Sequence, residues 1–338
     1  MGKVFLTCFQ QFLLRDENPS SNSTIANADH HHHEAIQVFA NSIALDLQSL
    51  QGSLSANTPS FKWCSDVVNL LRKMHFHLLC FVQNSKASMV WGIEEYMKET
   101  LTLLDFCNSL KTAISDMNRY RLLINVAAKK LQDELPALST SLSSKVNEIE
   151  RESQKLCCNI NDPKWKDLKN YLINLQEMPK TKRKDVNLGL VYAVKGSMGI
   201  LCQILLSTIL FSGSVKVDHH GGFLYTNFPP QLKLLSVSLR KLINSFNEAV
   251  DHVHVHGINK SCVIRPVLVE NKVIESKVFE ASRGMAIDEE EYMKIIDSLI
   301  DKCVGLKEGL EMFEFAITEL FDEIIKGRNK VLGMVVTC

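Results

Sequence analysis

From Tyr292 to Ile324 the apolar residues of this chain fall at Tyr292, Ile296, Leu299, Cys303, Leu306, Leu310, Phe313, Ile317, Leu320 and Ile324. The steps alternate four and three without a miss, a period of about 3.5 residues, which keeps one seam of an α-helix turned toward a partner helix. Asp288 stands where a capping residue belongs, and Glu291 three places on can reach back to its amide. Ile287 can pack on Tyr292 as a hydrophobic staple. The pattern predicts one long helix over 287–334 whose role is packing.

Earlier segments repeat the helical period more loosely. Asp16 to His33 is polar and of low complexity, ending in four histidines, and predicts a mobile tail over 1–33. From Glu34 the period appears, with Ile36, Phe39, Ile43, Leu47 and Leu50 on one face, followed by a loop over Gly52 to Ser60. A second helix turns Trp63, Val67, Leu70, Met74, Leu78 and Phe81 inward. His75 and His77 lie two apart on it, hence on different faces, and are expected at the edge or surface. A third helix runs from Met89 to Leu135, closed by Pro136. Its stripe reads Ile93, Met97, Leu101, Leu104, Cys107, Leu110, Ile114, Met117, Ile124 and Leu131. Arg121 takes a seam position there, where it either pairs with an acid of the last helix or extends its head to the edge.

The middle of the chain is mixed. Leu142, Val146, Ile149 and Leu156 mark a more polar helix. Asp162 and Pro163 open a short one bearing Trp165, Leu168, Leu172 and Leu175, ended by Pro179. A basic linker over 179–187 carries Lys180, Lys182, Arg183 and Lys184, and an apolar helix follows over 188–212. Two readings fit that helix. A helix apolar all round is the buried centre of a bundle, or it enters a membrane, which needs about 20 apolar residues. The basic run would draw it to anionic headgroups, while Lys195 within it counts against a span. Pro229 and Pro230 then open a helix with Leu232, Leu235, Leu239, Leu242, Phe246, Val250 and Val253 on one face, ending at His256 before Gly257. On a helix only His252 and His256 of the DHVHVH string are neighbours, and a metal lacks its third ligand. Leu268 to Ser282 predicts a weaker helix leading into the final one.

Composition adds limits. The 338 residues are 46% hydrophobic, enough to bury a large core, and 15 glycines with 8 prolines favour helices over strands and turns. Lysine plus arginine and aspartate plus glutamate stand at 38 each, so no net field draws the molecule to nucleic acid. Ten dispersed cysteines without a CxxC pair point to buried thiols in a reducing compartment. The start of the chain lacks the form of a secretory signal, and Leu6 stands where an N-myristoylation motif after Gly2 wants Ser or Thr. No Walker loop, GxGxxG, HExxH or GxSxG occurs. The sequence therefore nominates no catalytic, cofactor-binding or metal residue.

Three stretches together resemble the plant BYPASS-like family and its ROH-type relatives: Tyr96 to Ile124 (YMKETLTLLDFCNSLKTAISDMNRYRLLI), the basic-then-apolar segment around Lys195, and Lys307 to Val335 (KEGLEMFEFAITELFDEIIKGRNKVLGMV). The first and third carry the likeness most specifically. The resemblance implies an all-helical, non-enzymatic protein of plant development that restrains a root-derived mobile signal arresting the shoot. It implies an exocyst-type partner by analogy with the ROH-type relatives, and a membrane role for 188–212. It brings no catalytic residues and no cofactor.

The expectation is an all-α, elongated antiparallel helical bundle with long coiled-coil-like helices, forming a single domain over 34–338. Its expected function is that of an intracellular regulatory or adaptor protein, in the cytoplasm or on an intracellular membrane, contacting protein partners through helical surfaces and not nucleic acid. Two alternatives stand beside it: a metal-binding or enzymatic protein using His and Cys residues, and a membrane-anchored structural protein.

Overall fold

The computed structural model describes residues 24–54, 59–84, 89–133, 186–209, 232–254 and 289–337, with Arg151, Asn170, Leu172 and Val273 besides. Six long helices make up these residues: α1 (Thr24–Leu54), α2 (Phe61–Asn84), α3 (Met89–Asp133), α4 (Val186–Ile209), α5 (Lys233–His254) and α6 (Glu289–Thr337). The protein is an all-α helical bundle, and one continuous hydrophobic core draws side chains from every one of these helices.

α6 begins one residue after Asp288, the expected cap, which itself lies outside the described residues. Every seam position from Ile296 to Ile324 is buried, and the seam runs on through Gly327 to Val331 with the same steps of three and four. α3 and α2 close it. Gln132 lies beside Asp297 at one end of α3 and Met97 beside Arg328 at the other, so α3 and α6 run antiparallel. Phe61 meets Phe313, Arg72 meets Glu319 and His75 faces Gly327, so α2 runs in the same direction as α6. The antiparallel arrangement thus belongs to α1–α2, α2–α3 and α3–α6, while α6 enters the groove between α2 and α3.

α1 packs its predicted face, Ile36 to Leu50, but its helix starts at Thr24, ten residues before the apolar period, and runs through Leu54. His30 to His33 therefore lie on a helix and not in a tail. Alanines 26 and 28 favour helix, and a packed segment propagates helix into its flank at little cost. Residues 1–23 lie outside the described residues. Ser60 caps α2, accepting the Trp63 amide on its hydroxyl at 3.2 Å. The Trp63 indole crosses to the Leu50 carbonyl at 3.0 Å and stacks on Phe246, joining α1, α2 and α5.

α4 is buried at every position from Leu190 to Ile209. Among the described residues this is the one helix long and apolar enough to cross a membrane, with a mean hydropathy of 1.5. Its buried hydroxyls turn onto their own helix: Ser197 donates to the Ala193 carbonyl and Thr208 to that of Ile204.

α3 departs from its predicted stripe. Leu101 is 54% exposed, and the inward face at that end is formed instead by Tyr96, Glu99, Thr100, Leu103 and Phe106. The polar members of that face masked it in the sequence, and the apolar residues beside them turn outward. Of the predicted helix over 162–179, Leu172 is helical and fully buried. The remainder of the middle region, the basic linker, the end of α5 at His256 and the segment 268–282 (apart from the helical Val273) lie outside the described residues.

Candidate functional site

Where the last turns of α6 enter the bundle, polar side chains from four helices come together in the core. His75 was expected at an edge; it is fully buried, because α6 and α3 close over the face of α2 that carries it. Its Nε2 is 3.0 Å from the Tyr96 hydroxyl. Burial holds the imidazole down to about 4, so it is neutral at physiological pH, and its Nδ1 has no partner among the described residues. His77, half-buried at the edge as expected, tilts against Phe39 and is likewise held to about 4, first by burial and then by the neighbouring Lys73.

Gly327 makes the close approach that this arrangement requires. A Cβ there would collide with the Tyr96 hydroxyl and press on His75 Cε1 and Leu79 Cδ2, each at 3.2 Å. The next residue, Arg328, donates from Nη1 to the Met97 carbonyl at 2.6 Å and to the Thr100 hydroxyl at 2.8 Å. Thr100 in turn donates to the Tyr96 carbonyl at 2.7 Å. A guanidinium thus ties α6 to the backbone of α3 by charge-assisted bonds.

Next to Tyr96 and Thr100 in the chain lie two carboxylates, Glu95 and Glu99. Lys195, the charge within the apolar helix, is buried and bonds Glu95 Oε2 at 2.7 Å, with its ammonium 5.8 Å from the Tyr192 ring centroid. Glu99 is fully buried and its Oε1 has no hydrogen-bond partner among the described residues. Burial pushes its carboxyl up to about 7; Lys195 opposes the shift and Glu95 adds to it. Arg121, at its predicted seam position, is buried and donates Nε to Asn118 on its own helix at 2.9 Å.

This arrangement ties α2 to α3, α3 to α6 and α3 to α4. A groove of about 810 Å³ lies elsewhere, between α1 and α2, and none of the cluster lines it. Two of its charged side chains, Lys73 and Asp46, bond one another at 2.6 Å, and Lys62 and Asp66 line it as well. Cys64, Cys80, Cys107, Cys202 and Cys303 are buried thiols outside any disulfide. Burial pushes the Cys107 thiol up to about 12 and that of Cys303 to about 11, the opposite of an activated nucleophile. Among the described residues no three His, Cys, Asp or Glu side chains gather as metal ligands would. His252 and His254 lie on α5.

The His75–Tyr96–Thr100–Arg328 cluster was not legible as a unit, because Gly327 puts no apolar side chain at its seam position and Glu99 and Thr100 put polar ones on the inward face of α3. The fold and this cluster define a class, the all-α helical bundle. Compared with known protein families, characterised proteins and solved structures, the chain gives no match.

Proposed function

We propose that this protein is a non-catalytic adaptor of plant development, acting inside the cell through contacts made by its helical surfaces. The observation that carries the reading is the division of labour on α6. Its inner face is given over entirely to packing on α2 and α3, while its outer face leaves Val304, Met312 and Phe315 exposed on a rigid rod. Such patches on a soluble surface mark sites of interaction.

The resemblance to BYPASS-like proteins supplies the context: restraint of a root-derived mobile signal that arrests the shoot, with an exocyst-type partner by analogy. The place of action is the cytoplasm or the surface of an intracellular membrane. Burial of α4 on all sides supports its role as the central helix of the bundle. Grafting tests the reading. Shoots with normal levels of the protein, placed on roots in which it is silenced, are expected to arrest. Normal growth of those shoots ends the developmental reading.

A further inference from the structure

We propose that the outer face of α6 between Asp301 and Asp322 is a docking surface for a basic amphipathic helix of a partner protein. The inference deepens the adaptor reading and rests on it. At about 100° per residue, Val304, Met312 and Phe315 fall within about 80° of one another, on the side of α6 opposite the buried seam. All three are exposed: Phe315 at 67%, Val304 at 49% and Met312 at 46%.

The same arc carries one sign of charge. Asp301, Glu308, Glu311, Glu319 and Asp322 share it and are exposed. Glu319 is held by Arg72 at 2.8 Å, and Glu311 lies 3.7 Å from Lys307, the single base along this stretch of the outer face. Asp301, Glu308 and Asp322 have no ion pair among the described residues. Lys326 and Lys330 mark where the acidic stretch ends.

The sign of the charge selects the occupant. Anionic lipid and nucleic-acid phosphate are repelled by a carboxylate-lined face. A second copy docking through the same face would bring like charges together across a two-fold axis. A helix with lysine or arginine flanking an apolar stripe meets both features at once: its stripe covers Phe315, Met312 and Val304, and its bases reach the carboxylates.

The test uses the full chain and a synthetic helical peptide of about 21 residues, three heptads with leucine at a and d and lysine or arginine flanking them. A second peptide of the same composition with the stripe scrambled serves as control. Saturable one-to-one binding of the first peptide is expected by fluorescence anisotropy, about tenfold or more above the control. It should weaken about tenfold in Met312→Ser/Phe315→Ser and again in Glu308→Lys/Asp322→Lys, with unfolding curves of both variants unchanged. Equal binding of the scrambled peptide, or variants that bind as tightly as the natural chain, overturns the assignment. So does a dimer of the protein lost on Phe315→Ser, which would make the face a contact between copies. A peptide that fails to bind while silenced rootstocks still arrest the shoot overturns this surface and leaves the adaptor reading in place.

Discussion

Between Ile296 and Ile324, α6 meets its neighbours with hydrocarbon; at Gly327 and Arg328 a bare Cα and a guanidinium meet the hydroxyls, imidazole and backbone carbonyl of α2 and α3. The first stretch supplies burial without choosing a register, since a seam of period 3.5 matches itself after a slip of seven residues. The second stretch chooses. A slip of one heptad would bring Leu320 or Met334 to the place of Gly327, under the Tyr96 hydroxyl, and would strip Arg328 from the Met97 carbonyl. Apolar area holds α6 in the groove between α2 and α3, and the buried polar end sets its position along it.

The two regions should fail differently. Phe313→Ala, at the centre of the apolar stretch and packed on Phe61, is expected to cost about 3–5 kcal/mol of unfolding free energy in denaturant titrations, with register retained. Glu95→Ala removes the partner of buried Lys195 and should cost about 3 kcal/mol. Replacing both, as Glu95→Leu with Lys195→Met, should recover most of that loss, because the stranded charge goes with its partner. A double variant as unstable as Glu95→Ala alone would place the effect in packing.

The pH dependence isolates Glu99. Burial pushes its folded carboxyl up to about 7, above the ordinary 4.5, so between those values the folded state holds more protons than the unfolded one. Stability from this group is therefore present at acid pH and lost as pH rises toward 7, by up to about 3 kcal/mol. His75 and His77 act oppositely: held to about 4, they favour the fold above 6.5 and withdraw that contribution as pH falls toward 4. Glu99→Gln should accordingly be more stable than the natural chain at pH 8, with the gap closing by pH 4.5. Parallel stability curves would show that the carboxyl is not in the environment described.

Two glycines of α6 give the smallest and sharpest contrast. Gly327→Ala should destabilise by about 1–3 kcal/mol through collision with Tyr96. Gly305, with open space where its Cβ would stand, lies in an exposed helix interior, and Gly305→Ala should stabilise by about 0.5–1 kcal/mol. Thermal unfolding of the pair reads both signs.

The α6 seam was legible from Ile296 to Ile324 because apolar side chains at a steady period report burial directly, and α1, α2 and α5 were legible on the same ground. That period stopped short of Gly327 and Val331, where a missing side chain and a neighbouring arginine hid a helix face still in the core. On α3 the apolar stripe pointed one position away from the true face over its first turns, since Glu99 and Thr100 look like solvent residues until a guanidinium and an ammonium are brought to them. His75 misled for the same reason.

By itself the sequence determined the all-helical class and the faces that carry hydrocarbon, because amphipathic period is a local property of the chain. Only the tertiary structure decided that the α6 seam closes on α2 and α3 of the same chain, that α4 is surrounded on every side, and that His75, Tyr96, Thr100 and Arg328 share one buried site. Those pairings join residues up to 252 positions apart (Phe313 less Phe61), and a polar side chain bears no mark of its partner until the packing of helices places the two together.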